Sequence, residues 1–325
     1  MFWTQVRYRN AVYLSTIDLW LDPRARREWA FVSHAHSDHI AAHEEAILTA
    51  ATARFMELRK VAPREVTVLP YGEPCSIRGV EFTLWPSGHM LGGAQVTVAV
   101  DGRRVLYSGD FKLKANLAAD PIVVPRAEVL IMETTFGHHR YAFPPEEEVI
   151  AQMAAWCDGC LHDGVMPVLL GYSVGKAQEI LAALAGRGYR FLLHDSVYQA
   201  TRIAERLGVA FPTYERWTPG TGAGCVLICP PHLRRWAVDK IPGPSRTAIV
   251  SGWAFDPSTR YRYGTDAAFC LSDHADYQDL LAYVEQVQPE RVFTVHGFAS
   301  EFATELRRRG YDANALDEPD QLALF

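Results

Sequence analysis

Short apolar runs alternate with helix-like segments along the 325 residues, which is the pattern of an α/β chain. Strands are predicted at Ala30–Val32, Glu81–Trp85, Gln95–Val100, Val105–Ser108, Val129–Met132, Val168–Leu170, Arg190–Leu193, Ala248–Val250 and Val292–Val295. Apolar positions at helical spacing predict helices at Ala177–Leu184, Tyr198–Leu207, Tyr277–Val287 and Glu301–Arg309. The run at 95–100 alternates strictly between polar and apolar residues, which predicts a strand with one face in water.

Proline-rich breaks divide this pattern. They lie at 143–145, where three glutamates then start a helix, and at 242–244 and 256–258, before strand signals resume. We therefore predict that residues 141–265 form a domain inserted into a first domain, which consists of residues 1–140 and 266–325.

The composition is that of a globular protein. Apolar residues make up 49% and charged residues 22%, which argues against disorder, collagen and coiled coil. The formal net charge of −6 excludes a uniformly basic nucleic-acid-coating protein. However, the segment from Arg202 to Arg262 holds nine Lys/Arg against four Asp/Glu. This segment is either a phosphate-facing surface or an ordinary solvated face.

Six cysteines in a chain of this length do not form a small secreted disulfide framework. Cys157 and Cys160 lie in a helical pattern, and Cys225 and Cys229 in a buried-strand pattern, so a structural four-cysteine zinc site is disfavoured. The sequence shows no signal segment and no apolar run of about 20 residues. We expect a cytoplasmic location and no membrane partner.

The segment Ser33-His34-Ala35-His36-Ser37-Asp38-His39 follows an apolar strand and is rich in metal-binding side chains. Alternation lets His34 and His36 point one way, while Asp38 and His39 can face a second point about 3.5–4 Å away. A solvated polar loop is the alternative, which three histidines and an aspartate in six positions disfavour.

This HxHxDH pattern resembles the signature of the metallo-β-lactamase superfamily, and three further segments resemble its other motifs in the same order. Asp22 resembles the first motif, Ser87-Gly88-His89 the third, and Tyr107-Ser108-Gly109-Asp110 the fourth. The resemblance implies an αββα sandwich and two divalent metal ions, Zn²⁺ or Mn²⁺. It also implies that Asp22 orients the metal ligands from behind.

Three later segments resemble motifs of the β-CASP branch, the nucleic-acid-processing group of that superfamily. Glu133 ends a strand as in motif A, Ser272-Asp273-His274-Ala275-Asp276 is similar to motif B, and Val295-His296-Gly297 is similar to motif C. The resemblance implies an inserted β-CASP α/β domain. It assigns His274 as general acid, with Glu133 fixing the tautomer of its ring.

The resemblance also implies the ligand sets. The first metal ion is assigned to His34, His36 and His89. The second is assigned to Asp38, His39 and His296, with Asp110 bridging both ions. Asp38 and Asp110 are in addition expected to be catalytic.

A strand–loop–helix element at 170–178 is a candidate phosphate site. Small residues such as Ser173 and Gly175 let backbone amides approach a phosphate, and Lys176 supplies positive charge. The alternative is an ordinary turn with an exposed lysine. Ser251 and Trp253 form a similar candidate.

The chain looks most similar to the bacterial ligase-associated DNA damage response exonucleases. That similarity implies two-metal hydrolysis of phosphodiester bonds as an exonuclease in DNA repair, with DNA expected in preference to RNA. It also implies functional association with a DNA ligase and a helicase. Residues 137–140 depart from the family pattern by adding two histidines. The alternatives are an RNA-processing nuclease of the RNase J kind, a small-molecule metallohydrolase and a non-catalytic scaffold subunit.

Overall fold

A computed structural model describes residues 6–100 and 102–316, which group into two compact units. The first unit contains the described residues up to Asn116, the segment Asp120–Ala142 and the described residues from His274 onward. The second unit contains Leu117–Ala119 and Phe143–Asp273.

The described residues form nineteen strands and eight α-helices. The strands are β1 Val6–Tyr8, β2 Val12–Leu14, β3 Leu19–Leu21, β4 Trp29–Phe31, β5 Glu45–Leu48, β6 Glu65–Val68, β7 Cys75–Ile77, β8 Val80–Pro86, β9 Ala94–Val100, β10 Arg103–Tyr107, β11 Val129–Glu133, β12 Met166–Leu170, β13 Phe191–Leu193, β14 Tyr214–Arg216, β15 Val226–Cys229, β16 Ser245–Val250, β17 Ala267–Phe269, β18 Arg291–Val295 and β19 Asp312–Ala315. The helices are α1 Ala50–Leu58, α2 Glu146–His162, α3 Lys176–Ala183, α4 Asp195–Arg206, α5 Arg234–Val238, α6 Ser258–Tyr263, α7 Tyr277–Val287 and α8 Ala299–Arg308.

The first unit contains two sheets. One has the order β1-β2-β3-β4-β5-β6 and the other β19-β18-β11-β10-β9-β8-β7. Strands β3 to β6 pair in parallel, as do β10, β11, β18 and β19. Because parallel strands end at the same edge, the loops that follow β4, β10, β11 and β18 are brought to the ends of the two sheets.

Strand β11 shows how the layers are arranged. Val129 and Ile131 pack into the core that the two sheets share, where Leu21 of β3 also lies. Leu130 and Met132, which point the other way, pack with residues of α7 and α8. Each face of this sheet therefore has its own apolar core. The predicted α/β fold, an αββα sandwich, is confirmed.

Strand β9 differs from its prediction. Gln95 and Thr97, expected in water, are both buried. The side-chain nitrogen of Gln95 donates to the Pro86 carbonyl at 3.0 Å, and its oxygen accepts a hydrogen bond from the Tyr283 hydroxyl. Because Tyr283 belongs to α7, a helix covers the face that was expected to be wet. The prediction of a wet face was wrong.

The second unit has one sheet of six parallel strands in the order β14-β13-β15-β12-β16-β17. Cys157 and Cys160 are buried in α2, while Cys229 is buried at the end of β15. All six cysteines are free thiols. These cysteines serve as packing residues.

The contacts place the boundaries of the second unit at Phe143 and Asp273, where the sequence suggested 141 and 265. The second limit lies later because Ala267–Phe269 pairs with β16 and forms the edge of this sheet. Within residues 6–100 and 102–316, no helix has both the length and the apolar composition needed to cross a bilayer.

Candidate metal centre

Asp22 lies behind the histidine-rich loop and is buried, with its backbone in the left-handed region at φ 47°. Its Oδ1 accepts the backbone N–H of Ser33 at 2.7 Å. Its Oδ2 accepts the Ser33 hydroxyl at 2.5 Å and the Tyr107 hydroxyl at 3.0 Å. One carboxylate thus joins the ends of β3, β4 and β10, and fixes the start of the loop that carries His34.

His39 contacts carboxylates through both ring nitrogens. Its Nδ1 lies 2.9 Å from Oδ2 of Asp22, and its Nε2 lies 3.2 Å from Oδ2 of Asp110. Burial lowers the pKa of His39, but the carboxylates of Asp110 and Asp38 outweigh it and hold that pKa well above its usual value. The carboxylates of Asp110 and Asp38 therefore concentrate negative charge beside Nε2, where a cation is favoured.

Asp110 is buried among the same imidazoles. Burial raises its pKa, but the neighbouring His39 more than offsets this and holds the pKa well below its ordinary value. Its Oδ2 also lies 3.5 Å from Nε2 of His34 and 3.9 Å from Nε2 of His89. A single carboxylate oxygen therefore faces three imidazoles, as a bridging ligand would.

His34, His36, His89 and Asp110 each direct a ligand atom into one compact group, with all four atoms within 4.8 Å of one another. Nδ1 of His36 lies 3.1 Å from Nε2 of His89. Nε2 of His34 is fully buried and has no hydrogen-bond partner. Burial holds the pKa of His34 well below its usual value, so its imidazole is neutral, the form that binds a metal. The donor set and this orphaned nitrogen fit a divalent metal ion.

The remaining two predicted ligands lie at the margin of this group. Oδ2 of Asp38 is 3.7 Å from Nε2 of His39, and its side chain is half exposed. The ring centre of His296 is 6.0 Å from that of His39. Among the described residues, neither Asp38 nor His296 belongs to a compact group of three or more ligand atoms. Their role as ligands of a second metal ion stays a prediction.

The backbone around His296 is tightly constrained. His296 and Gly297 both have φ 61°, and a Cβ on Gly297 would lie 2.5 Å from the Thr134 carbonyl oxygen. The Thr134 hydroxyl also donates to the His296 carbonyl at 2.6 Å. Only glycine fits at 297, so the loop after β18 is locked against the loop after β11.

Glu133 and His274 form a pair beside the predicted metal ligands. Nδ1 of His274 lies 2.8 Å from Oε1 of Glu133, and the rings of His274 and His89 are 4.7 Å apart between centres. The buried Glu133 also accepts the backbone N–H of Phe111 at 3.0 Å and that of Thr135 at 3.1 Å. The carboxylate is thus held in one orientation, and it fixes the orientation of the His274 ring.

Lys176 is placed differently from its prediction as a phosphate ligand. The residue is only 1% exposed. Its Nζ donates to Glu179 and to the Leu271 carbonyl, at 2.9 Å from the latter, and lies 3.5 Å from Asp273. Its charge is therefore neutralised inside the second unit. The prediction that Lys176 contacts a phosphate was wrong, and so was the alternative of an exposed lysine.

The other candidate phosphate residues are engaged locally. Ser173 exchanges a hydrogen bond with Ser196 at 2.9 Å, and the backbone N–H of Gly175 donates to Gln178 at 2.8 Å. Ser251 caps a short 3₁₀ helix by accepting the N–H of the half-buried Trp253 at 3.3 Å. Contact of these residues with nucleic acid stays a prediction.

Two hydroxyls that support the centre were missed. Ser33 and Tyr107 both donate to Asp22, but no role for either was predicted from the sequence. Both residues directly adjoin recognised motifs, one before His34 and the other at the end of β10. Hydrogen-bonding side chains next to metal-binding motifs are the available signal for such positions.

Comparison with known proteins agrees with this geometry. Residues 269–316 match the family described as "Zn-dependent metallo-hydrolase RNA specificity domain". The matched segment contains motif B with His274 and motif C with His296. The site geometry, this match and the relatives below indicate the β-CASP branch of the metallo-β-lactamase superfamily. The description of the matched family as a Zn-dependent metallo-hydrolase agrees with the donor set of this centre, which suits divalent metal ions.

Two curated relatives match most of the chain. A "Probable DNA ligase" of Opitutus terrae is 46% identical over 322 residues, covering 98% of this chain and 32% of the relative. The "DNA cross-link repair protein SNM1" of Arabidopsis thaliana is 24% identical over 295 residues, covering 81% of this chain and 59% of the relative. The chain thus spans about a third to three-fifths of the length of these relatives.

A solved structure shares the fold. It is described as a protein of unknown function from Enterococcus faecalis, with a TM-score of 0.60 and 12% identity, and the match covers 91% of this chain and 81% of that chain. Similarity at this level of identity shows the fold alone.

Proposed function

We propose that the protein is a metal-dependent DNA exonuclease that acts in DNA repair. The observation that supports its hydrolytic chemistry best is the compact group of His34, His36, His89 and Asp110, together with the orphaned Nε2 of His34. Divalent metal ions bound by these residues and their neighbours supply Lewis-acid chemistry, which acidifies water and neutralises charge on a phosphodiester.

The chain's own residues would handle the leaving group. Nδ1 of His274 faces the Glu133 carboxylate, so this nitrogen carries the proton of that contact. Nε2 is left to give a proton to the departing oxygen, and the fixed carboxylate stabilises the charged ring between transfers. Glu133 acts by positioning His274 and holding its tautomer.

DNA as the substrate is supported by the Opitutus relative. Almost the whole chain matches a segment of a protein named as a probable DNA ligase, at 46% identity. The Arabidopsis relative is named for DNA cross-link repair. On these grounds we include a functional association with a DNA ligase in the proposal; association with a helicase stays a prediction.

RNA is the second candidate substrate, because the family that matches residues 269–316 is described by RNA specificity. The discriminating experiment uses end-labelled single- and double-stranded DNA and RNA of the same sequence, assayed with Zn²⁺ and Mn²⁺. We expect nucleotides to be released stepwise from DNA, at a higher rate than from RNA. Faster cleavage of RNA, or cuts within the strand only, would contradict it.

A further inference from the structure

An exposed tryptophan lies on the second unit, at the carboxyl edge of its parallel sheet. Trp236 belongs to α5, which follows β15, and 43% of the residue is exposed. Ligands of open parallel sheets bind outside the carboxyl ends of the strands. An exposed tryptophan at this edge is therefore in a position suited to contact with a ligand.

The indole of Trp236 is held in place from two sides. Its ring centre lies 5.7 Å from that of Trp217, which directly follows β14, and the two rings are nearly perpendicular. It lies 5.6 Å from the ring of His194, which directly follows β13, also nearly perpendicular. Trp217 is itself buried, and its indole N–H donates to the Thr221 carbonyl at 3.2 Å. A ring held this way loses little conformational freedom when something stacks on it.

A chain of polar contacts continues from His194 along the same edge. Nδ1 of His194 lies 3.0 Å from the Ser196 hydroxyl, which lies 2.9 Å from the Ser173 hydroxyl. Ser173 is in the loop after β12. Residues that follow three of the parallel strands, β14, β13 and β12, are thus linked into one continuous edge.

Positive charge adjoins the tryptophan. Arg235 directly precedes Trp236 in α5 and is exposed, and within the described residues its guanidinium makes no ion pair or side-chain hydrogen bond. The nearby Asp195, by contrast, is already paired with Arg216 at 2.7 Å. The Arg235 guanidinium next to Trp236 is therefore available to a phosphate.

We propose that this edge binds single-stranded nucleic acid, with one base stacked on Trp236 and the adjacent phosphate on Arg235. An exposed aromatic ring beside an unpaired arginine is a combination that binds single strands without sequence preference. The inference rests on the proposed nuclease function and adds to it the position of a strand contact outside the metal centre.

The test compares two fluorescent oligonucleotides of equal length, oligothymidylate and an abasic strand with the same phosphates. Binding is measured with the full chain carrying Asp110→Asn, so that the strand is not cut. Trp236→Ala should weaken binding of oligothymidylate about 5- to 100-fold and leave the abasic strand unaffected. Arg235→Gln should weaken binding of both strands and lower the slope of log Kd against log salt by about 1.

Two variants serve as controls. Trp236→Phe keeps an aromatic face and should retain most of the affinity. Leu207→Ala removes a side chain that is 40% exposed at the other end of α4, and should leave binding unchanged.

The outcomes separate this inference from the proposed function. If the wild-type chain cleaves nucleic acid but Trp236→Ala binds oligothymidylate as well as Leu207→Ala does, the edge does not contact the strand. Equal loss on both strands with Trp236→Ala would exclude base stacking and overturn the proposal. If the wild-type chain cleaves neither DNA nor RNA with any divalent metal, the proposed function itself fails.

Discussion

Nδ1 of His274 lies 2.8 Å from Oε1 of Glu133, although 141 positions separate the two residues in the chain. The carboxylate is buried and fixed by two backbone N–H groups, whereas the imidazole is partly accessible and next to the ring of His89. Such a pair can hold a proton at a defined place beside the metal ligands.

The first prediction follows from this pair. His274→Ala should lower the rate of DNA hydrolysis by about 10²–10⁴ with bound metal unchanged, because the leaving oxygen loses its proton donor. On a nitrophenyl phosphodiester the loss should be much smaller, since nitrophenolate departs without a proton. Metal content measured by elemental analysis is the control. An equal loss on both substrates would exclude the acid role.

Asp22 is expected to raise the affinity of the centre for its metal ions, because it holds the ligands in place. Asp22→Ala removes the partner of His39 and the anchor of Ser33, so metal affinity should fall about 10- to 100-fold. Tyr107→Phe removes one hydrogen bond to the same carboxylate and should have a smaller effect. Competition with a chromophoric chelator measures both affinities. Unchanged affinity in Asp22→Ala would contradict the supporting role.

The buried His43 should make the stability of the protein depend on pH. Its ring is buried, its Nδ1 accepts the N–H of Arg27 at 3.2 Å, and its Nε2 has no partner. Burial lowers its pKa to about 4. Between about pH 6.5 and pH 4, His43 therefore binds a proton in the unfolded chain but stays neutral in the folded chain. The free energy of unfolding should fall by about 3 kcal/mol over this range, and the loss is absent above pH 6.5.

The matched variant for this pH dependence is His43→Gln. Free energies of unfolding, measured by urea denaturation between pH 4 and 7, should fall less steeply with acid in the variant than in the wild type. Parallel pH profiles would show that His43 is protonated in the folded state.

Replacing Lys176 should lower the stability of the protein and leave the salt dependence of its DNA binding unchanged. Lys176→Met leaves Glu179 buried without its cation, which should cost about 3–5 kcal/mol of unfolding free energy. The double variant Lys176→Met, Glu179→Gln should recover part of that loss, because the buried side chain at position 179 no longer carries a charge that lacks its cation. A fully stable single variant with weaker DNA binding would instead restore the phosphate role.

Features that depend on residues close together in the chain could be predicted from the sequence. The loop His34–His39 follows directly from β4, and strand and helix positions follow from periodicity that each segment carries by itself. Joining Glu133 to His274 across the fold needed the resemblance to a family, because no spacing rule connects them.

Features set by distant packing were not predictable in this way. Lys176 looked exposed because its partners Leu271 and Asp273 come from a distant segment. Gln95 was expected to face water because the helix that covers it begins at Tyr277, far away in the sequence. In both cases a polar residue is buried because hydrogen bonds replace water, and those bonds are formed only in the folded chain.

The most direct test of the account is release of nucleotides from end-labelled DNA by chelator-stripped protein, as Zn²⁺ or Mn²⁺ is added back. The wild type should regain activity with metal, while Asp110→Asn should remain about a thousandfold slower at a comparable melting temperature, since the carboxylate facing three imidazoles is lost. Full activity in the stripped wild type, or wild-type rates in Asp110→Asn, would contradict the assignment of this centre.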